Sequence, residues 1–239
     1  MNHEILSGPS FSILEVTLAA GERIVSEAGA MAWMDGNVKT ETTTRGGVLA
    51  GLKRAVFSGE TFFQNTYEAE GGPARIAFAP GMSGEIVPWQ LQGEELLLQR
   101  GAFLASTEGI RCESRSEGLK GLFAQGLFVL RATGSGTMFF SGYGAIEEID
   151  LDGGSDYTID NGYVVAWEPS LSYRLTRARK IRSFLFSDQL LLSFSGRGKV
   201  WVNSRSPQSL ASWIHPFRRV KSKSSGGGIQ LGPVNLGGE

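Results

Sequence analysis

Apolar and polar residues alternate with period two in short runs along most of the chain. Leu14, Val16 and Leu18 alternate with Glu15 and Thr17, Val87, Trp89 and Leu91 with Pro88 and Gln90, and Ile149 and Leu151 with Glu148 and Asp150. Successive side chains of a strand point to opposite faces, so such runs bounded by glycine turns predict half-buried antiparallel strands. Turn signals at intervals of about 8–12 residues predict an all-β sandwich or barrel. One short helix is expected over Pro207–Ile214, with Ser206 as its N-cap and Pro207 in the first helical position. No apolar window approaches the ~18–20 residues of a membrane-spanning helix.

The pattern recurs three times. Ile13–Leu18, a turn at Gly21-Glu22 and Ile24-Val25 lead to Gly29-Ala30-Met31-Ala32-Trp33. Ile86–Leu91, a turn at Gly93-Glu94 and Leu96–Leu98 lead to Gly101-Ala102-Phe103-Leu104-Ala105. Ile146–Leu151, a turn at Gly153-Gly154 and Tyr157–Ile159 lead to Gly162-Tyr163-Val164-Val165-Ala166-Trp167. From the last Leu of the leading strand to the second glycine is 11, 10 and 11 residues. Further on, Gly51-Leu52-Lys53 precedes Gly59-Glu60-Thr61-Phe62-Phe63 by eight residues, as Gly118-Leu119-Lys120 precedes Gly126-Leu127-Phe128. Gly134-Ser135-Gly136 matches Gly196-Arg197-Gly198 at an offset of 62. This predicts repeats over about 1–81, 82–144 and 145–205. None closes a core alone, so they pack around a pseudo-threefold axis as one domain spanning 1–217, including the helix. Residues 218–239 are a basic, then Gly-rich tail.

Composition changes the picture by exclusion. With one cysteine (Cys112) and two histidines (His3 and His215) in 239 residues, the chain has no intramolecular disulfide framework, Cys/His zinc site or Cys-x-x-Cys centre. No catalytic residue, metal or cofactor is assigned. The N-terminus lacks the basic leader and apolar core of a signal peptide, and the lone cysteine fits a reducing compartment, so a cytoplasmic protein, peripheral to a membrane at most, is expected.

The net charge of −1 hides a split. Residues 1–173 hold 11 Lys/Arg and 22 Asp/Glu, whereas residues 174–223 hold 12 Lys/Arg and one acid, Asp188. Arg174, Arg177, Arg179, Lys180 and Arg182 form one basic run, and Arg218, Arg219, Lys221 and Lys223 another.

The stretches Glu27–Asp35, Gly59–Phe63, Gly101–Ser106, Gly134–Gly136, Ser141–Gly144, Ala166-Trp167 and Gly196–Val202 together resemble the altered-inheritance-of-mitochondria (mitochondrial biogenesis) family in its bacterial and archaeal branch. The resemblance covers roughly residues 5–205. It implies a fold similar to the trp RNA-binding attenuation protein, without implying RNA or tryptophan binding. In the mitochondrial branch the role is linked to inner-membrane organisation. No catalytic residues are established for the family, so none is carried over.

Each remaining feature has a structural and a functional reading. The Gly-x-Gly pairs are followed by β-type residues, not a helix, so they read as turns or bulges and not as phosphate loops. For the carboxylates Glu147, Glu148, Asp150, Asp152, Asp156 and Asp160 the functional readings are a glycosidase-like acid/base pair or a calcium loop, but the calcium-loop pattern is not met and solvent-facing strand and turn positions are the favoured reading. Trp33 and Trp167 lie near equivalent points of their repeats beside small residues, which favours core or inter-repeat packing over base stacking. The segments around Leu52-Lys53 and Leu119-Lys120 read as connections against the core or as a membrane- or partner-contacting ring.

Three functional readings follow. The leading one is a non-enzymatic, self-associating scaffold or assembly factor, with contact to an anionic membrane surface or other proteins. In it the basic runs meet the chain's own acids or a second copy's. The second is a binding module for an anionic ligand or nucleic acid. The third is an enzyme with an unrecognised site at Tyr143 or among Asp150–Asp160.

Overall fold

The computed structural model describes residues 1–43, 62–114, 128–177 and 190–217. The chain divides into two units, Met1–Pro207 and Gln208–Glu239. The first is all β. Its first third contains β1 (Asn2–Leu6), β2 (Ile13–Leu18), β3 (Arg23–Glu27), β4 (Met31–Asp35), β5 (Val38–Thr43), β6 (Gln64–Ala69) and β7 (Ala74–Phe78). The middle third contains β8 (Ile86–Gln99), β9 (Phe103–Thr107), β10 (Ile110–Ser114) and β11 (Val129–Ser141). The last contains β12 (Ile146–Asp152), β13 (Tyr157–Asp160), β14 (Val164–Trp167), β15 (Ser172–Arg177), β16 (Leu190–Ser195) and β17 (Arg197–Asn203). The predicted helix, α1, occupies Pro207–Ile214.

The same four antiparallel ladders occur in every third. In the first, β7 pairs β2 and β4, and β6 pairs β3 and β5. In the last, β17 pairs β12 and β14, and β16 pairs β13 and β15. In the middle, two long strands do the work of four. The later half of β11 pairs the start of β8 and β9, and its earlier half pairs the end of β8 and β10. Each third also carries a bulge at the corresponding residue, so that Ala32, Leu104 and Val165 are skipped in the ladders of β4, β9 and β14. A bulge sets which residues face inward on either side of it, and a shared position therefore fixes a shared register.

The expected turn at Gly93-Glu94 is not a turn. β8 runs unbroken from Ile86 to Gln99, and β11 opposite it shifts register between Thr133 and Ser135. Gly134 lies inside β11 at φ +112°, and a Cβ there would come within 2.2 Å of the Gly109 carbonyl oxygen. That oxygen accepts a hydrogen bond from the Ser135 N–H at 3.2 Å. Of the turn and bulge readings, Gly134 takes the bulge, with a close backbone approach. Strand breaks do occur at the matching points of the outer thirds, between β2 and β3 and between β12 and β13.

The thirds join edge to edge. β3 pairs β9 through Ile24↔Thr107, Val25↔Ser106 and Ser26↔Ala105. β8 pairs β14 through Leu97↔Trp167 and Leu98↔Ala166. Among the described residues, these two joints weld parts of all three thirds into a ten-stranded sheet, while a four-stranded sheet ends in β4 and a three-stranded sheet in β13.

Burial follows the joints. Leu14, Val16, Leu18, Ile24, Ile76 and Phe78 pack with Leu104 and Phe139 of the middle third. Leu96, Leu98, Phe103 and Phe140 pack with Ala166 and Trp201 of the last. Trp167, Leu192, Phe194 and Val200 pack with Leu97 and Val129 of the middle. The alternation of β2 is realised in full, with Leu14, Val16 and Leu18 buried and Thr17 exposed. A one-residue slip would turn that face to water.

Candidate functional site

Of the basic residues singled out in the sequence, two fall on described strand. Arg174, exposed in β15, forms an ion pair with Asp156, and Arg177 ends β15. Arg179, Lys180, Arg182, Arg218, Arg219, Lys221 and Lys223 lie outside the described residues, as do Leu52, Lys53, Leu119 and Lys120. The segments that hold Leu52-Lys53, Leu119-Lys120 and Arg179–Arg182 nevertheless start and end on corresponding strand pairs. Their flanking ladders end at Thr43↔Gln64, Ser114↔Leu130 and Arg177↔Leu190.

Glu148, Asp152, Asp156 and Asp160, four of the carboxylates between Glu147 and Asp160, have local partners. Glu148 pairs with Lys199 and accepts from Trp201 Nε1 at 3.0 Å. Asp150 stands opposite Lys199 in the β12–β17 ladder. Asp152 accepts from the Gly154 N–H and Asp160 from the Gly162 N–H, both at 2.8 Å, as short Asx turns. The Glu148 carboxylate holds the Lys199 ammonium above its ordinary range by hydrogen bonding. These contacts tie strands and turns together, and among the described residues no group of three or more His, Cys, Asp or Glu is arranged to hold a metal ion.

Tyr143 lines an open depression with Phe11, Ser83, Ala145, Ser204 and Arg205. The Tyr143 N–H donates to Asn203 Oδ1 at 2.8 Å, and Ser204 Oγ accepts from the Ala145 N–H at 2.9 Å. Among the described residues that line it there is no carboxylate or imidazole.

Two perturbed groups lie near the β3–β9 joint. Burial raises the Glu27 carboxyl above its ordinary range, with the Arg100 guanidinium pulling the other way. Burial also pushes the Cys112 thiol well up, with Glu27 and Glu113 adding to the effect. A buried thiol held protonated is inert packing, not a nucleophile.

The tryptophans divide. Trp167 and Trp201 are fully buried, and Trp89 packs edge-on against Trp201 with ring centroids 4.8 Å apart. Trp33 corrects the expectation of core packing, because it is 43% exposed, beside Met34 at 47%. The ladders explain the difference: Trp33 corresponds to Ala105 and Ala166, and Met34 to Ser106 and Trp167. Those counterparts are buried, and their strands β9 and β14 are paired on both sides, whereas among the described residues β4 is paired on one side only. In the second unit, Trp213, Ile214 and Phe217 are also exposed, the last at 73%.

The model of the mitochondrial biogenesis AIM24 family matches residues 3–205. The chain belongs to that family. Among its relatives is an uncharacterised protein of Streptococcus pyogenes serotype M6, 31% identical in a match of 222 positions that covers 89% of each chain. An X-ray crystal structure of a Streptococcus pyogenes protein is similar at a TM-score of 0.76 and 28% identity, covering 91% of this chain and 99% of the other. The AIM24 match stops short of α1.

Proposed function

We propose that this AIM24-family protein is a non-enzymatic, self-associating β-domain that acts as a scaffold or assembly factor in the cytoplasm. The observation that carries the reading is the pair of strands β4 and β13, each with one unpaired edge among the described residues and with apolar side chains exposed at Met31, Trp33, Met34 and Tyr157. Free edges of this kind are templates for pairing with another chain. The ion pair of Arg174 with Asp156 supports the view that the basic runs meet acids of this same chain type. Sedimentation velocity and light scattering across a wide concentration range test the reading. Mass rising with concentration is expected, and a strict monomer overturns it.

A second reading, contact with an anionic membrane surface, is favoured by α1. Its exposed Trp213, Ile214 and nearby Phe217 run directly into Arg218, Arg219, Lys221 and Lys223, the combination of apolar burial and positive charge that such surfaces attract. Flotation with vesicles of anionic lipid should capture the full chain at low salt and release it at high salt. Vesicles of zwitterionic lipid should not capture it. Equal flotation with both removes the reading. Titration with RNA or DNA instead of vesicles asks whether the anion is a nucleic acid.

A further inference from the structure

We infer that the free edge of β13 in one copy adds to the free edge of β4 in a second copy, with Ile159 opposite Trp33 and Thr158 opposite Met34. This rests on the self-association proposed above and names the surface that makes it.

The chain makes the same joint twice within itself. In both joints the residue three before the corresponding glycine of one third (Gly29, Gly101 or Gly162) pairs with the residue four after that glycine of the next. Ser26, three before Gly29, pairs Ala105, four after Gly101. Leu98, three before Gly101, pairs Ala166, four after Gly162. The one combination of this kind not made among the described residues is Ile159, three before Gly162, with Trp33, four after Gly29. Among the described residues, the strands that would carry it, β13 and β4, each have one open edge, whereas their counterparts β3, β8, β9 and β14 are paired on both sides.

Both open strands are short, and Asp35 and Asp160 are their only charged residues. Neither Met31–Asp35 nor Tyr157–Asp160 contains Lys, Arg or Pro, the residues that commonly block edge pairing. The bulge at Ala32 is no barrier, since β9 and β14 pair across the same bulge. All five residues of β4 are exposed, so β13 of the same chain does not cover them, whereas β14 is buried throughout and β9 in four of its five residues. The strand that fits β4 by register is therefore this chain's own β13, offered by another copy. Each copy has one edge of each type, so the contact is head to tail, closing into a ring or running on as a filament.

Full-length single variants Met34→Cys and Thr158→Cys test the joint. Both positions are exposed, and the buried Cys112 stays silent. The two variants are mixed and treated with a short bis-maleimide, which spans paired residues about 5 Å apart. The expected product is a covalent dimer holding one chain of each variant, identified by mass, and more abundant by at least tenfold than in either variant alone. In the double variant, a crosslink confined to one chain overturns the inference, because the two edges then close on each other. Absence of the mixed dimer while the wild-type protein still sediments as an oligomer overturns the joint and leaves self-association standing. A wild-type protein that is monomeric throughout overturns both.

Discussion

The β8–β14 joint and the open β4 edge have the same strand type, bulge and register, yet opposite surroundings. In the joint, Trp167 is fully buried, edge-on against Tyr173 and Phe194 at ring centroid distances of 5.1 and 5.7 Å. At the edge, the corresponding Met34 stands in solvent. Trp167 is enclosed by these residues of its own third together with Leu97 and Val129 of the middle third, whereas Met34 has no such cover.

The largest effects should therefore fall on the joint. Trp167→Ala is expected to destabilise the protein by about 3–5 kcal/mol, the usual cost of emptying a fully buried aromatic site. Trp33→Ala should stay within about 0.5 kcal/mol, as exposed positions do. Urea unfolding monitored by circular dichroism measures both at protein concentrations low enough to suppress association. Similar losses for the two variants would mean that β4 is covered in the isolated chain.

Backbone crowding extends the comparison to a smaller scale. Gly134→Ala combines a left-handed φ with a Cβ aimed at the Gly109 carbonyl, and should cost about 1–3 kcal/mol. Gly71 between β6 and β7 has φ +71° but nothing within 4 Å of a built Cβ, so Gly71→Ala should cost about 1 kcal/mol at most. The same unfolding assay ranks them. An inverted order would show that the tight middle third is less constrained than its contacts imply.

At the open edge the expected effect is on association and not on folding. Met34→Lys places a charge on β4 of the kind that blocks edge pairing. Stability should remain within about 0.5 kcal/mol of wild type, while the dissociation constant from sedimentation rises roughly tenfold, a change of about 1.4 kcal/mol. Unchanged sedimentation would direct attention to a different surface.

The sequence makes one half of this comparison readable. Period-two alternation places Leu14, Val16 and Leu18 inside, and the Ser206-Pro207 start marks α1 to the residue. Glycine spacing finds the corresponding strands because the backbone requirement recurs. It also misleads: Gly93-Glu94 looks like the turns that separate β2 from β3 and β12 from β13, yet a glycine that permits a turn equally permits a bulge in a continuous strand. Trp33 misleads for another reason. Composition aligns it with Trp167, whereas the bulges align it with Ala166, and no local signal says which edges find partners. Trp201 is legible only in part, since alternation with Val200 and Val202 gives its face but not that Trp89 and Phe140 cover that face. The candidate site was legible mainly by exclusion, because contacts such as Arg174 with Asp156 depend on β13 and β15 flanking one strand.

The smallest expected effect tests the electrostatics of the made joint. Glu27 closes β3, and burial disfavours its charged form, so its folded-state pKa lies above the unfolded value. Between those two values the folded protein binds more protons than the unfolded one, and stability from this group falls as pH rises through that window. Above the folded pKa the loss is complete and constant; below about 4.5 it is absent. Glu27→Gln removes the ionisation and keeps the shape. The variant should therefore match wild type most closely near pH 4 and gain on it steadily toward neutrality, before the difference levels off. Thermal unfolding of both proteins across that pH range reads the effect. A difference independent of pH would mean that the Arg100 guanidinium, which opposes the burial, already compensates Glu27 in full.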